Sequence, residues 1–84
     1  MKLILCPHCQ DVRKLDKILT TCKCGKSYGR YLDDLNAEYS GDAIPLGFSN
    51  SSLLSAIKHR PGQGNGAIFT AFVIPKQCST YKKV

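Results

Sequence analysis

The sequence has no apolar run approaching the ~20 residues that a membrane-spanning helix requires. Only Leu3, Ile4 and Leu5 stand where the ~7–15-residue apolar core of a secretory signal would lie. The expectation is therefore a cytoplasmic protein, in a compartment where disulfides are rare. No repeat or low-complexity segment is visible. Apolar content of 43% with 21% charge is that of a folding chain, not a disordered one. No Ser/His/Asp arrangement stands in a recognisable context and no pair of carboxylates falls on one predicted face, so an enzyme is not expected. Acidic residues are few, 6 against 12 Lys plus Arg, for a net charge of +6. The 84 residues leave room for one small domain. A chain this short buries only ~60% of its unfolded surface and needs a staple to fold stably.

The charge is unevenly placed. Residues 1–30 carry +5, residues 31–57 carry −4 with no Lys or Arg at all, and residues 58–84 carry +5. Basic ends around an acidic middle point to an anionic partner, though an ordinary soluble surface has the same look.

Periodicity predicts a short strand over residues 2–5 leading into Cys6. Val12, Leu15, Ile18 and Leu19 are spaced for one or two helical turns, but a long-looped β-hairpin entering Cys22 competes and is preferred. Gly25–Gly29 reads as a turn. Residues 36–40 predict a strand that turns at Gly41-Asp42 into residues 43–48, where Pro45 allows an edge strand at best. The clearest helix is 51–60, with Ser49 or Asn50 as N-cap and Leu53, Leu54 and Ile57 on its apolar face. Lys58, His59 and Arg60 suit the negative end of the helix dipole, and Pro61-Gly62 stops the helix. Ala67–Ile74 is apolar on both faces and reads as a central strand covered on both sides. The division expected within a single domain over 1–84 is a metal ribbon at 1–31, a strand-helix-strand part at 32–75 and a basic tail at 76–84. The fold class is α+β: a ribbon hairpin, then a short antiparallel sheet with one packed helix.

Four of the five cysteines fall in two close pairs, Cys6-Pro-His-Cys9 and Cys22-Lys-Cys24-Gly25, twelve residues apart. A close pair lets one backbone turn present two sulfurs to a single ion, and four thiolates suit tetrahedral zinc at ~2.3 Å. Pro7 fixes φ after the first ligand, and Gly25 stands where such turns need a positive φ. Gln10 occupies the place where glycine is common in the first turn, and the second pair has one spacer residue instead of two. Residues 3–31 resemble a zinc ribbon with rubredoxin-like knuckles. That resemblance implies a structural metal site made by Cys6, Cys9, Cys22 and Cys24. It leaves function open, because zinc ribbons occur in nucleic-acid binders, enzymes and scaffolds. Iron accepts the same four sulfurs. Cys6-Pro-His-Cys9 also looks like a thiol-disulfide oxidoreductase motif, a reading that leaves the second pair unused. Cys78 is left over as a free thiol, and His8, between two ligands, is expected to point outward.

Bound zinc would lower the net charge from +6 to +4. Three binding roles remain open. Lys14, Lys23, Lys26 and Arg30 crowd the metal turns beside Tyr28 and Tyr31, the composition of a nucleic-acid surface. Ser49, Asn50 and Ser51 at a helix start, closed over by Arg60, form a candidate site for a phosphorylated ligand such as a nucleotide. A metal-stapled body with exposed strand edges would also suit a protein-binding inhibitor or adaptor.

Overall fold

Both cysteine pairs sit at hairpin tips. In the computed structural model, which describes residues 1–84, Lys2–Leu5 (β1) and Val12–Lys14 (β2) run antiparallel on either side of the first pair, with Leu3 opposite Lys14 and Leu5 opposite Val12. Thr20–Thr21 (β3) and Ser27–Tyr31 (β4) flank the second pair in the same way. The chain continues as Ala37–Gly41 (β5), Ile44–Phe48 (β6), a helix at Asn50–Lys58 (α1), Ala71–Val73 (β7) and Tyr81–Lys83 (β8). Residues 15–19, between the hairpins, are not helical, and Ile18 and Leu19 are exposed.

The hairpins belong to different sheets. The first sheet has the order β2-β1-β6-β7, the second β3-β4-β5-β8, and all neighbours are antiparallel except the parallel pair β5-β8. The class is α+β, built as two sheets packed on a shared core. That core is Ile4, Leu15, Ala37, Tyr39, Ala43 and Tyr81, with Tyr31, Ile74 and Cys78 packed against it. Alternation sorts β4 between core and solvent: Ser27 and Gly29 are buried, Tyr28 and Arg30 exposed. Leu15 links the layers. Its N–H bonds Lys2 O at 3.1 Å, and the next residue accepts from Tyr31 N at 2.8 Å.

Several expectations are corrected. Gly41-Asp42 does not close a hairpin; it carries the chain from the second sheet to the first, because β5 pairs with β4 and β8 while β6 pairs with β1 and β7. Pro45 lies inside a sheet, not at an edge. Its carbonyl accepts from Ile74 N at 2.9 Å, so its missing N–H faces the end of β7, where one ladder bond is forgone and Pro75 stops the strand anyway. Ala67–Ile74 is not a central strand: only Ala71–Val73 pairs, at a sheet edge, and all three residues are exposed. No further element of this short chain is placed to cover it.

The helix starts where expected, with Ser49 Oγ accepting from Ser52 N, but ends at Lys58, two residues early. His59 turns back there to bond Ser55 O through both its backbone N–H and its ring. Its apolar face is not sealed: Leu54 and Ile57 are 60% and 58% exposed, and no helix residue is buried. Leu53 and Ala56 are half-buried beside the extended residues 67–69. Asp33 builds a tight turn, its carboxylate taking the N–H groups of Leu35 and Asn36 at 2.8 and 2.7 Å. These bonds, Asn36's first, hold its pKa at about 2.

The largest correction concerns residues 76–84. They are not a tail, because β8 places Tyr81, fully buried, at the centre of the core. Its ring meets Tyr39 edge-on at 5.2 Å, and its hydroxyl donates to Leu3 O at 2.6 Å, tying the second sheet to the first. Burial pushes the phenol up, so it stays a donor at neutral pH. Tyr81→Phe keeps the ring but removes the hydroxyl's bond to Leu3 O and should cost about 0.5–1.5 kcal/mol. Truncation before residue 76 removes the ring as well and should abolish cooperative unfolding. Denaturant titration followed by circular dichroism checks both.

Candidate metal centre

β1 delivers Cys6 and reverses immediately: Cys6 O accepts from Gln10 N at 2.8 Å and Cys6 N donates to Asp11 O at 2.9 Å. This tight reversal forces Gln10 to φ 58°, which explains why glycine is the common choice there. The second turn is built alike. Gly25 N donates to Cys22 O at 3.1 Å, Cys22 N to Ser27 O at 2.9 Å, and Gly25 has φ 83°, as its position predicts.

Together the turns bring the sulfurs of Cys6, Cys9, Cys22 and Cys24 within 4.8 Å of one another. Cys24 Sγ lies 3.6 Å from both Cys6 Sγ and Cys22 Sγ. Four sulfurs at ~2.3 Å from one tetrahedral ion would be ~3.8 Å apart, so the donor set fits a metal with little adjustment. The four cysteines thus form a possible metal site of zinc-ribbon-like geometry. Cys6 and Cys22 are buried, Cys9 is half-buried and Cys24 exposed, so one side of the site faces solvent.

The surroundings already favour thiolates at the two buried positions. Burial pushes the Cys6 thiol up, but the Ser27 hydroxyl, the N–H groups of Cys9 and His8, and Cys24 outweigh it and bring it to about 6. At Cys22 burial is likewise overcome, chiefly by the Ser27 N–H, which lies 3.3 Å from the sulfur. At Cys24 the Lys26 N–H favours the thiolate, yet burial and the neighbouring sulfurs together drive it to about 12. A cation at the centre of the four would remove that repulsion.

Three supporting residues escape a reading of cysteine spacing. Asp11 Oδ2 accepts from Arg13 Nε at 2.6 Å and from the backbone N–H of Lys23 at 2.9 Å, clamping the first turn to the second. Arg13 first, then the Lys23 N–H, hold this carboxyl below its ordinary range. Ser27 is fully buried, and its hydroxyl has no well-aligned hydrogen-bond partner, yet it favours the Cys6 thiolate. Asp42 receives His8 Nε2 at 2.7 Å and donates its N–H to Lys26 O at 3.0 Å, so His8 points outward and ties both turns to the corner between the sheets. The one available sequence signal was a carboxylate two residues after a ligand.

The dithiol reading gains nothing here. Cys6–Cys9 joins two strands, opens no helix, and packs equally with the second pair. Cys78 stands apart, its sulfur 3.6 Å from Thr80 Oγ1, whose hydrogen bond lowers the thiol.

The other sequence candidates are scattered. Lys14 lies on β2, and Lys23 and Lys26 on the second turn, none in an ion pair. Tyr28 and Arg30 share the outer face of β4, with Arg30 held by Glu38 at 3.0 Å. Tyr31 is not a stacking platform: its hydroxyl accepts from Lys2 N at 3.0 Å, and it packs on the core under the Lys2 ammonium.

The phosphate site does not assemble. Ser49 caps the helix, Asn50 Oδ1 takes the Met1 amine at 2.9 Å, and Ser51 Oγ lies 3.5 Å from Ser49 Oγ. Arg60 sits beyond the opposite end of the helix, ~14 Å away.

Asp11→Ala should leave four thiols but loosen the angle between the turns, lowering metal affinity roughly tenfold; competition with a chromophoric chelator measures it. Gln10→Gly should relieve the left-handed backbone and raise stability by about 0.5–1 kcal/mol in the metal-loaded protein, read as an increased Tm.

No protein-family model matches the chain, and neither a curated protein nor a solved structure does. The geometry of the four sulfurs itself is what marks this centre.

Proposed function

We propose that the chain is a small non-enzymatic zinc module that presents the outer face of its second sheet to an anionic partner, single-stranded nucleic acid in the first instance. Zinc is preferred over iron because a closed four-thiolate site suits a structural role and needs no redox partner. Such a site keeps no open position for water, so the metal would hold the fold and catalyse nothing.

The observation that carries the reading is one exposed row structure. By register, Tyr28 lies beside Ser40, Arg30 beside Glu38, and Glu38 beside Lys82, all on the same solvent-facing side. Lys26 precedes them at the metal turn. An aromatic ring with cations on either side, on a backbone fixed by a metal, is the arrangement that stacks a base while tracking its phosphates. Lys82 joins this face only because Tyr81–Lys83 form a strand, so sequence order alone conceals it. The helix N-terminus offers no rival site, its groups being spent on Met1 and on one another.

Metal analysis of protein purified without added zinc should return one equivalent of zinc in a colourless protein. Fluorescence anisotropy with a single-stranded oligonucleotide should then show affinity falling with salt at a log–log slope of about −2, as ~3 phosphate contacts require. Lys26→Ala, alone or with Lys23→Ala, should flatten that slope, and Tyr28→Ala should weaken binding by ~5–100-fold. An absence of binding even at low salt overturns the nucleic-acid reading while leaving the metal result intact.

A further inference from the structure

Two open sheets have four edges, and three of them are protected. β2 carries Arg13 and Lys14, β3 is two residues long, and β8 carries Lys82 and Lys83. Charge and brevity are the usual devices that stop a sheet edge from recruiting another strand. The fourth edge, β7, is longer than β3 and, unlike β2 and β8, carries no charge. Not one charged residue occurs between Arg60 and Lys76, and Phe72 and Val73 are 49% and 67% exposed, with Ile68 just upstream at 95%.

The backbone of this edge is open in a definite pattern. Thr70 O accepts from Ser49 N, and Ile74 N donates to Pro45 O, so residues 70, 72 and 74 face β6. The N–H and C=O groups of Ala71 and Val73 therefore face outward.

We propose that β7 pairs antiparallel with β7 of a second copy of this chain, joining the two first sheets into one eight-stranded sheet. The pattern is self-complementary. A two-fold axis at Phe72 sets Ala71 against Val73 of the second copy, where each exchanges N–H and C=O. It also brings the two Phe72 side chains together as a non-hydrogen-bonded pair, the closer kind. The uncharged stretch opposes no like charges across that axis. Side chains of successive strand residues point to opposite faces, so the axis brings apolar groups together on both faces of the joined sheet, Phe72 against Phe72 on one and Val73 against Ala71 on the other.

Analytical ultracentrifugation of the metal-loaded full chain over a concentration series tests the proposal. The expected result is a mass that doubles from 9.2 kDa as concentration rises, with Ala71 and Val73 amides protected from hydrogen exchange only in the dimer. Val73→Lys adds the missing edge charge, and Ala71→Pro removes an N–H that bonds nothing within one copy. Each should weaken association at least tenfold with unchanged circular dichroism and metal content. If one variant misfolds, the other and the wild-type exchange pattern decide. A wild type that stays monomeric at all concentrations overturns the proposal, whether or not the edge takes a foreign strand. A dimer that persists in both folded variants, or that leaves Ala71 and Val73 unprotected, also overturns it.

Discussion

Everything in this small fold hangs on four sulfurs meeting at one point. Each cysteine pair closes a hairpin, and each hairpin starts a different sheet, so the cluster joins one end of two four-stranded sheets that share the core behind it. Without an ion the same convergence sets thiolates against one another, and Cys24 resists ionisation for that reason. Structural zinc sites supply ~10–16 kcal/mol, as much as the whole stability of a domain of this size. The protein core is correspondingly thin, with six residues in its buried cluster. The metal end and the Tyr81–Leu3 bond hold the layers at separate points, and the polar clamps of Asp11 and Asp42 fix the angle between the turns.

Cysteine spacing made the metal turns legible, down to the positive φ at Gly25 and the awkward place of Gln10. Local spacing suffices there because each turn is decided by four or five neighbouring residues. The helix start was legible for the same reason, through the short oxygen-bearing side chain of Ser49. Strand partners were not. Gly41-Asp42 has the chemistry of a hairpin turn, and only the competition between β1 and β4 for partners sends the two strands it joins to different sheets. Pro45 misled because the rule concerns which side its missing N–H faces, and periodicity does not reveal that side. Tyr81 was hidden by its neighbours, since Lys82 and Lys83 make its segment look like solvated tail.

The charge pattern also changed its meaning in three dimensions. Arg13, Lys17 and Arg30 are each held by a carboxylate, Asp11, Asp34 and Glu38 respectively. The basic surplus of residues 1–30 is thus partly consumed within the fold, and what remains outside ion pairs is Lys2 and Lys14 on the first sheet and Lys23 and Lys26 at the second metal turn. The same accounting turns the acidic middle segment into a supply of internal partners, with Asp42 on His8 as a further case.

Tyr81 reaches Leu3 across 78 positions of sequence. Contacts so distant in the chain close late, because the intervening loop must be ordered first. The four sulfurs, by contrast, lie within residues 6–24. During synthesis, then, the ion-binding end is complete as a length of polypeptide long before residue 81 is made. A metal bound at these four sulfurs would hold the first two hairpins of the nascent protein while the inner faces of β1 and β4 still lack their central ring. At that stage Ile4 and Leu15 are bare, and occupancy of the four-sulfur site would set how well the waiting chain is kept in order.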